Sequence, residues 1–235
     1  MGGETSKLSR FSNWEANQNT TIAKARELRV AADSTFLLEG ETSALSTGNR
    51  LDAETDIALT RGLKFEYRSD LNARIVLMQG DVCTLAPSVD AVVNAARPSL
   101  LGGGGIDFAI HRGAGFELLA ACKKLNGCEH GDTKVTPGFR LGCKFVLHTV
   151  GPNRDLHKEE EMGPLLRSCY QTILQRVKSN GIRSVVMCCV STGAYRMDNR
   201  TAAHIALSTV RQWLELNPQA IDLIIFNVFL AQACN

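Results

Sequence analysis

The 235-residue sequence lacks several features that mark common classes of protein. No apolar run is long enough to cross a membrane, and no apolar region near the N-terminus is typical of a signal peptide. The eight cysteines form no Cys-x-x-Cys pair, and 26 basic against 24 acidic residues leave a formal charge of only +2. We therefore expect reduced thiols, an intracellular location in cytoplasm or nucleus, and no electrostatic surface for nucleic acid.

The sequence also lacks a complete set of metal ligands at suitable spacing. Cys122, Cys128 and His130 are the best-spaced candidate ligands, but a fourth ligand at suitable spacing is missing. Hydrophobic residues at 44% and charged residues at 21% are typical of a soluble globular protein. We predict neither a bound metal nor a cofactor.

The N-terminal quarter of the chain is poor in motifs. We expect residues 1–61 to form a partly helical extension and residues 62–235 to form one domain. The first six residues, starting Met1-Gly2-Gly3, match the N-myristoylation pattern, and a cloning scar that begins Met-Gly is the alternative. If Gly2 is acylated, a single acyl chain gives only weak membrane association.

Four consecutive glycines, Gly102 to Gly105, stand between an apolar strand ending near Val93 and an amphipathic run from Asp107. Ordering four adjacent glycines costs much backbone entropy, and a ligand that needs bare N–H groups is the usual compensation. A glycine loop that opens onto a helix N-terminus presents such groups to an anion such as phosphate. We predict an anion-binding loop followed by one helix from Asp107 to Leu125, with a flexible hinge as the alternative reading of the glycines.

This loop belongs to neither of the two commonest phosphate-binding types. Ile106 and Asp107 follow it where a P-loop has lysine and a hydroxyl residue, and Phe108 stands where the dinucleotide fingerprint has its last glycine. The helix dipole keeps a first-turn carboxylate ionised, so Asp107 is suited to holding a ribose hydroxyl or a water. His111 lies four residues on and shares its helical face, with a packed core histidine as the alternative.

The remaining pattern alternates strands and helices. We predict strands over residues 74–78, 133–136, 144–150, 184–190 and 221–229, and helices over 159–178 and 199–216. The fold class is α/β, a three-layer α/β/α sandwich with a mixed central sheet of about six or seven strands. His148 alternates with apolar neighbours in its strand, which favours a packed structural role.

A second loop follows the apolar run of residues 184–190 and contains Ser191, Thr192, Gly193, Ala194 and Tyr195. Hydroxyl groups and an open glycine backbone can donate to a diphosphate, and a tyrosine ring can cover a sugar. Taken alone, this segment is an ordinary turn. It is informative because both loops leave the carboxyl ends of strands, where open α/β sheets bind ligands.

The chain resembles the macrodomain family, and within it the MacroD-type branch that binds ADP-ribose. The resemblance is carried by the block VVNAARPSLLGGGGIDFAIHRGAG from Val92 to Gly115, by Gly80-Asp81-Val82 upstream, and by the loop of residues 191–195. It covers residues 74–229 with the motifs in family order. It implies a hydrolase for O-acetyl-ADP-ribose and for proteins mono-ADP-ribosylated on acidic side chains, acting without metal, and we expect a monomer.

The resemblance also implies roles for particular residues. Asp107, Arg97 and His111 take the catalytic positions, with Asp107 orienting or deprotonating a water. Asp81 and Val82 contact adenine, and Phe229 stacks near adenine and its ribose, with core packing as the alternative for Phe229. The other ligand-binding positions are Asn94, Ala96, Gly102, Gly103, Gly104, Gly105, Ile106, Ser191, Thr192, Gly193, Ala194 and Tyr195.

Three positions depart from the branch. Arg97 replaces an asparagine that contacts the distal ribose, and it either holds an anionic group or blocks the pocket. Phe108 replaces a glycine after the acid, and Arg196-Met197-Asp198 replaces a glycine, aromatic, proline sequence. These changes favour, as a second hypothesis, a non-catalytic reader of ADP-ribosylated proteins.

Overall fold

A computed structural model describes residues 68–228 of the chain. Its six strands are β1 (Ile75–Gln79), β2 (Ala91–Ala95), β3 (Thr133–Pro137), β4 (Phe145–Thr149), β5 (Ser184–Cys188) and β6 (Leu223–Val228). Its α-helices are α1 (Ser69–Asn72), α2 (Val82–Leu85), α3 (Gly105–Ala114), α4 (Phe116–Lys124), α5 (Glu159–Ser179) and α6 (Asn199–Leu216). Short 3₁₀ turns cover Ala86–Ser88 and Phe139–Leu141.

The six strands form one mixed sheet in the order β1-β6-β5-β2-β4-β3. All neighbouring pairs are parallel except β3 with β4, which is antiparallel. In the centre of the sheet, Ala91 of β2 lies opposite Phe145 of β4 and Val185 of β5. Five parallel strands therefore end at the same edge, and the loops after β2 and β5 meet there.

Two apolar clusters lie on opposite faces of the sheet. One contains Leu166 and Ile173 of α5 with Ala206 and Leu214 of α6. The other is built around Ile110, Leu118 and other side chains of α2, α3 and α4. Helices on both faces of a sheet that is buried at its centre give the predicted three-layer sandwich, and the predicted fold class is confirmed.

The predicted single helix over residues 107–125 is wrong. Two helices occupy this stretch, because Gly115 between them has φ 86°, a left-handed value that ends α3. The first helix begins at Gly105, two residues earlier than predicted. Ile110, Ala114 and Leu118 are all buried, so the apolar spacing continues across the break.

Some predictions concern residues outside the described range 68–228. These are the extension over residues 1–61, the N-myristoylation pattern at Gly2, and the ring of Phe229. Within residues 68–228, no helix is both long and apolar enough to cross a membrane.

Candidate functional site

A cleft of about 580 Å³ opens at the carboxyl ends of the parallel strands, between the loops that follow β2 and β5. Both loops predicted to bind an anion contribute to it. Its walls are Ala95, Ala96, Arg97, Gly104, Gly105, Ile106, Asp107, Gly151, Cys188, Cys189, Ser191, Thr192, Gly193, Ala194, Tyr195, Asn199 and Asn227. The cleft therefore brings together most of the residues that the sequence analysis assigned to a ligand.

The glycine loop presents unused backbone donors. Leu100, Gly102 and Gly105 adopt left-handed backbone conformations, with φ of 59°, 87° and 60°. Among the described residues, the amide N–H groups of residues 102–105 donate to no protein acceptor. The loop ends at the N-terminus of α3, where the helix dipole adds partial positive charge, so its geometry suits an anion.

The loop after β5 has the same property. Ser191 has φ 66°, and the loop is closed by hydrogen bonds from the Met197 N–H to the Ser191 carbonyl and from the Arg196 N–H to the Gly193 carbonyl, each 3.0 Å. Within the described part of the chain, the N–H groups of residues 191–195 find no protein acceptor, and the buried Ser191 Oγ has no hydrogen-bond partner. Two sets of free donors thus face one cleft.

Asp107 is the acid of the cleft. Its side chain is 2% exposed, and it lies in the first turn of α3, where the helix dipole stabilises a negative charge. Asn94 of β2 donates from Nδ2 to Asp107 Oδ1 at 2.7 Å, whereas Oδ2 has no partner among the described residues. One carboxylate oxygen is held by the sheet, and the other is free to accept a hydrogen bond from a ligand or water.

A buried polar chain extends from Asp107 into the sheet. Asn94 Nδ2 also lies 3.1 Å from His148 Nδ1, and His148 Nε2 lies 2.9 Å from Thr136 Oγ1. Because the amide of Asn94 donates, His148 Nδ1 must accept, which places the imidazole proton on Nε2. The pKa of His148 is lowered to about 3, mainly by burial and in smaller part by nearby His111. His148 is neutral and packed, in the structural role expected from its sequence context.

His111 lies beside the acid. Its Nε2 is 3.4 Å from Asp107 Oδ1, as the four-residue spacing on one helix predicts, and its ring packs under Gly102. Nε2 is buried and has no hydrogen-bond partner among the described residues. His111 therefore lies against the same carboxylate oxygen that Asn94 holds.

Arg97 and Asp107 both lie against the bare face of Gly103. A Cβ at Gly103 would come within 2.9 Å of Arg97 Nε and 3.0 Å of Asp107 Oδ2, so the loop admits only glycine there without rearrangement. Arg97 is exposed and lines the cleft beside Tyr195. Burial raises the pKa of Tyr195, Arg97 opposes this rise, and Asp107 adds to it.

The adenine positions implied by the resemblance lie further along the same sheet edge. Asp81 follows β1 and caps α2, with its side chain accepting a 2.8 Å hydrogen bond from the Cys83 N–H. Neither Asp81 nor the buried Val82 lines the 580 Å³ cleft. Asn227 joins the two regions, since it lines the cleft and donates to the Gly80 carbonyl at 3.1 Å.

The sequence analysis missed six residues of the cleft wall, namely Ala95, Gly151, Cys188, Cys189, Asn199 and Asn227. Asn227 carried a signal, since it is the one amide side chain in the apolar run of β6. Burial raises the pKa of Cys188 to about 12, so its thiol stays protonated. Arg196, the third departure from the branch, forms an exposed ion pair with Asp155.

No group of three or more His, Cys, Asp or Glu side chains is arranged for a metal ion within residues 68–228. The three candidate zinc ligands named above do not form such a group. Cys122 instead contacts His148, with its Sγ 3.7 Å from Nε2.

The fold and this cleft together define a macrodomain. A family model described as Macro domain matches residues 93–206. A Macro domain-containing protein from Methanosarcina mazei is 42% identical over 168 residues, which cover 71% of this chain and 87% of that protein. The chain belongs to the macrodomain family, as its motifs predicted.

Two further relatives are informative. ADP-ribose glycohydrolase MACROD2 from Mus musculus is 49% identical over 165 residues, which are 70% of this chain and 34% of MACROD2. The chain thus spans about a third of that relative's length. The crystal structure of a Trypanosoma brucei macrodomain in complex with ADP-ribose is similar, with TM-score 0.65, 41% identity, and coverage of 70% of this chain and 68% of that one.

Proposed function

We propose that this protein is an ADP-ribose-binding hydrolase. Its substrates are O-acetyl-ADP-ribose and proteins mono-ADP-ribosylated on acidic side chains, both of which are esters of the distal ribose. The observation that carries the proposal is the free Oδ2 of buried Asp107, located between two loops of unused amide donors. The names of relatives, ADP-ribose glycohydrolase and a macrodomain complexed with ADP-ribose, point to the same ligand.

The ligand would follow the edge of the sheet. Adenine lies toward Asp81, whose carboxylate can accept from an exocyclic amine and would reject a carbonyl. The diphosphate sits between the glycine loop and the loop of residues 191–195, where amide N–H groups rather than side-chain cations hold it. This order brings the distal ribose to Asp107, Arg97 and Tyr195.

Asp107 is assigned the role of general base. Its free Oδ2 takes a proton from a water as that water attacks the acyl carbon. The bond between the acyl carbon and the ribose oxygen then breaks, and Asp107 returns the proton to the leaving ribose oxygen. Asn94 fixes the carboxylate through Oδ1, and His111 contacts that same oxygen. Holding water and ester together makes the attack effectively unimolecular, which supplies much of the rate. The scheme uses no metal.

The Asp107→Asn variant tests this assignment. The new side chain keeps the shape and can still accept from Asn94, so affinity for ADP-ribose should stay within a few fold of wild type. It cannot take a proton, so hydrolysis of a peptide ADP-ribosylated on glutamate should slow by about 10²- to 10⁴-fold. Single-turnover release of ADP-ribose, with calorimetric titration as the binding control, measures both. An unchanged rate of hydrolysis would show that Asp107 is not the general base.

The second candidate is a reader that binds ADP-ribosylated proteins without cleaving them. It is favoured by Arg97, a larger and permanently charged side chain at a position implied to hold the distal ribose. If wild type binds ADP-ribose in the calorimeter but releases none from the modified peptide over hours, the reader is correct.

We also propose that the protein works as a monomer in the cytoplasm or nucleus. Seven cysteines within residues 68–228 are free thiols, which supports a reducing compartment. Fractionation of cells and sedimentation of the purified chain would test these two points.

A further inference from the structure

A second groove, of about 530 Å³, lies beside the glycine loop and adjoins the cleft. Arg97 and Gly104 line both cavities, so the groove begins where the cleft ends. Its remaining walls come from Gly102, Gly103, Leu101, Phe108, His111 and Leu119. We call this space the side groove.

The side groove starts next to the reacting end of the proposed site. Its wall includes His111, whose Nε2 is 3.4 Å from Asp107 Oδ1, while Asp107 itself lines the cleft. A group attached to the distal ribose at Asp107 would therefore lie next to the groove. Within residues 68–228, Asp81 at the adenine end lines neither the cleft nor the groove.

The walls of the side groove are apolar and cationic. Leu101 and Phe108 present apolar surface to solvent, with exposed fractions of 47% and 56%. The guanidinium of Arg112 stacks over Phe108, 5.6 Å from the ring centre, and Arg97 stands at the entrance. No acidic residue lines the groove, and within residues 68–228 no acid forms an ion pair with Arg97.

Two departures from the MacroD-type pattern, Arg97 and Phe108, meet in this groove. Each replaces a smaller uncharged residue by a large side chain exposed to solvent. Within the cleft such changes are hard to explain, because they do not add to the loops that hold a diphosphate. In the side groove they supply its cation and its largest apolar surface, which points to a separate ligand-contacting role.

We propose that the side groove binds the polypeptide next to the modified side chain of the substrate, and that it selects segments with an acidic and a large apolar residue. The inference rests on the proposed function, since the ADP-ribose moiety must first occupy the cleft. The acidic residue pairs with Arg97, and the apolar side chain packs on Phe108 and Leu101. The groove thus makes substrate choice depend on protein sequence.

Two synthetic peptides that carry ADP-ribose through a non-hydrolysable amide test this inference. One has aspartate and leucine beside the modified residue, and the other has lysine and glycine. Calorimetry should show the first peptide binding at least tenfold more tightly than free ADP-ribose, and the second binding no more tightly. Equal affinities of wild type for both peptides would overturn the inference, whereas failure to bind free ADP-ribose would overturn the proposed function itself.

Phe108→Ala and Phe116→Ala form a matched pair. Both rings are exposed, and each lies under an arginine, Arg112 for Phe108 and Arg140 for Phe116, but only Phe108 lines the groove. Phe108→Ala should abolish the tenfold preference and leave the affinity for free ADP-ribose unchanged, whereas Phe116→Ala should preserve both. Identical behaviour of the two variants would contradict the inference. A wild-type dimer that Phe108→Ala dissociates in sedimentation would assign the groove to a second copy instead.

Discussion

His148 is a titratable side chain held entirely away from water. It is 0% exposed, and its pKa lies near 3 instead of 6.5. Its Nδ1 accepts from Asn94, so a proton there would break the contact that also orients Asp107. The neutral imidazole is therefore part of the support of the site, although it does not contact the cleft.

This depressed pKa predicts a specific loss of stability in acid. Below pH 6.5 the unfolded chain binds a proton at His148 and the folded chain does not, so stability is full above pH 6.5 and falls as pH drops toward 3. Between pH 7 and pH 5 the loss should be on the order of 2 kcal/mol. Urea unfolding at the two pH values measures it.

The control is His148→Gln, which cannot titrate in this range. Its stability at pH 7 should be lower than wild type, because a buried hydrogen-bonded ring is lost, but its own change between pH 7 and pH 5 should be smaller by the same 2 kcal/mol or so. Equal acid sensitivity in the two proteins would show that His148 is not the group responsible.

Single residues near the glycine loop were accessible to sequence reasoning, because helical spacing alone places His111 beside Asp107. The contacts among Asn94, His148 and Thr136 were not, since these residues come from three different strands and meet only through sheet register. Their hydrogen-bonded chain depends on which strands are neighbours, and strand order is a long-range property that local pattern does not encode.

Between elements, the two loops that follow β4 and β5 touch at Gly151. A Cβ there would overlap Ser191 Oγ and come within 2.7 Å of Val190 Cγ1. Ser191 is 6% exposed, and its own loop holds it at φ 66°. The absence of a side chain at Gly151 therefore sets how closely the two loops approach each other.

Gly151→Ala is expected to force these loops apart. Overpacking of this kind costs about 1–3 kcal/mol, which for a chain of this size lowers Tm by several degrees. Affinity for ADP-ribose should fall as well, since Ser191 and its neighbours supply one set of amide donors. Scanning calorimetry of the free protein and titration with ADP-ribose measure the two effects.

Gly193→Ala is the matched substitution in the same loop region. A Cβ at Gly193 meets nothing within 4 Å among the described residues, so the Tm of this variant should stay within about a degree of wild type. If the two alanine variants melted at the same temperature, contact at Gly151 would not govern the loop spacing.

Most elements were predictable because their patterns are local. The helix over residues 199–216 was predicted with the bounds that α6 has, and β2 and β5 were recognised by continuous apolar runs. The break at Gly115 was missed, since the apolar spacing continues across it and only the left-handed φ of one glycine reveals the change of direction. The sequence shows a glycine there but not its backbone angle.

For the molecule as a whole, the proposed ligand should act as a stabiliser. A ligand that binds only the folded protein stabilises it by about 2.7 kcal/mol at a concentration of 100 times Kd, which corresponds to a rise in Tm of about 5–10 °C. Differential scanning fluorimetry with ADP-ribose should show this rise, and AMP, which lacks the second phosphate and distal ribose, should give much less.

Titration of the protein with ADP-ribose in 50 and 200 mM salt tests whether amide groups or cationic side chains bind the diphosphate. Among the described residues, Arg97 is the one cationic side chain on the cleft wall, and uncharged amide and hydroxyl groups supply the other donors. The affinity for ADP-ribose should therefore change by less than about threefold. A polynucleotide ligand, bound through released counterions, would lose affinity by orders of magnitude. A steep salt dependence for ADP-ribose would contradict the amide-based binding mode.

Asn94 attaches the start of α3 to the sheet by its hydrogen bond to Asp107, so the acid is fixed to the rigid body of the domain and not to the turns around it. The residue assigned to catalysis is therefore fixed to the sheet, whereas residues that contact other parts of the ligand lie on the surrounding turns. Mutation can reshape the rim at positions such as Arg97 and Phe108, and so admit new molecules during evolution, while the acid keeps its position.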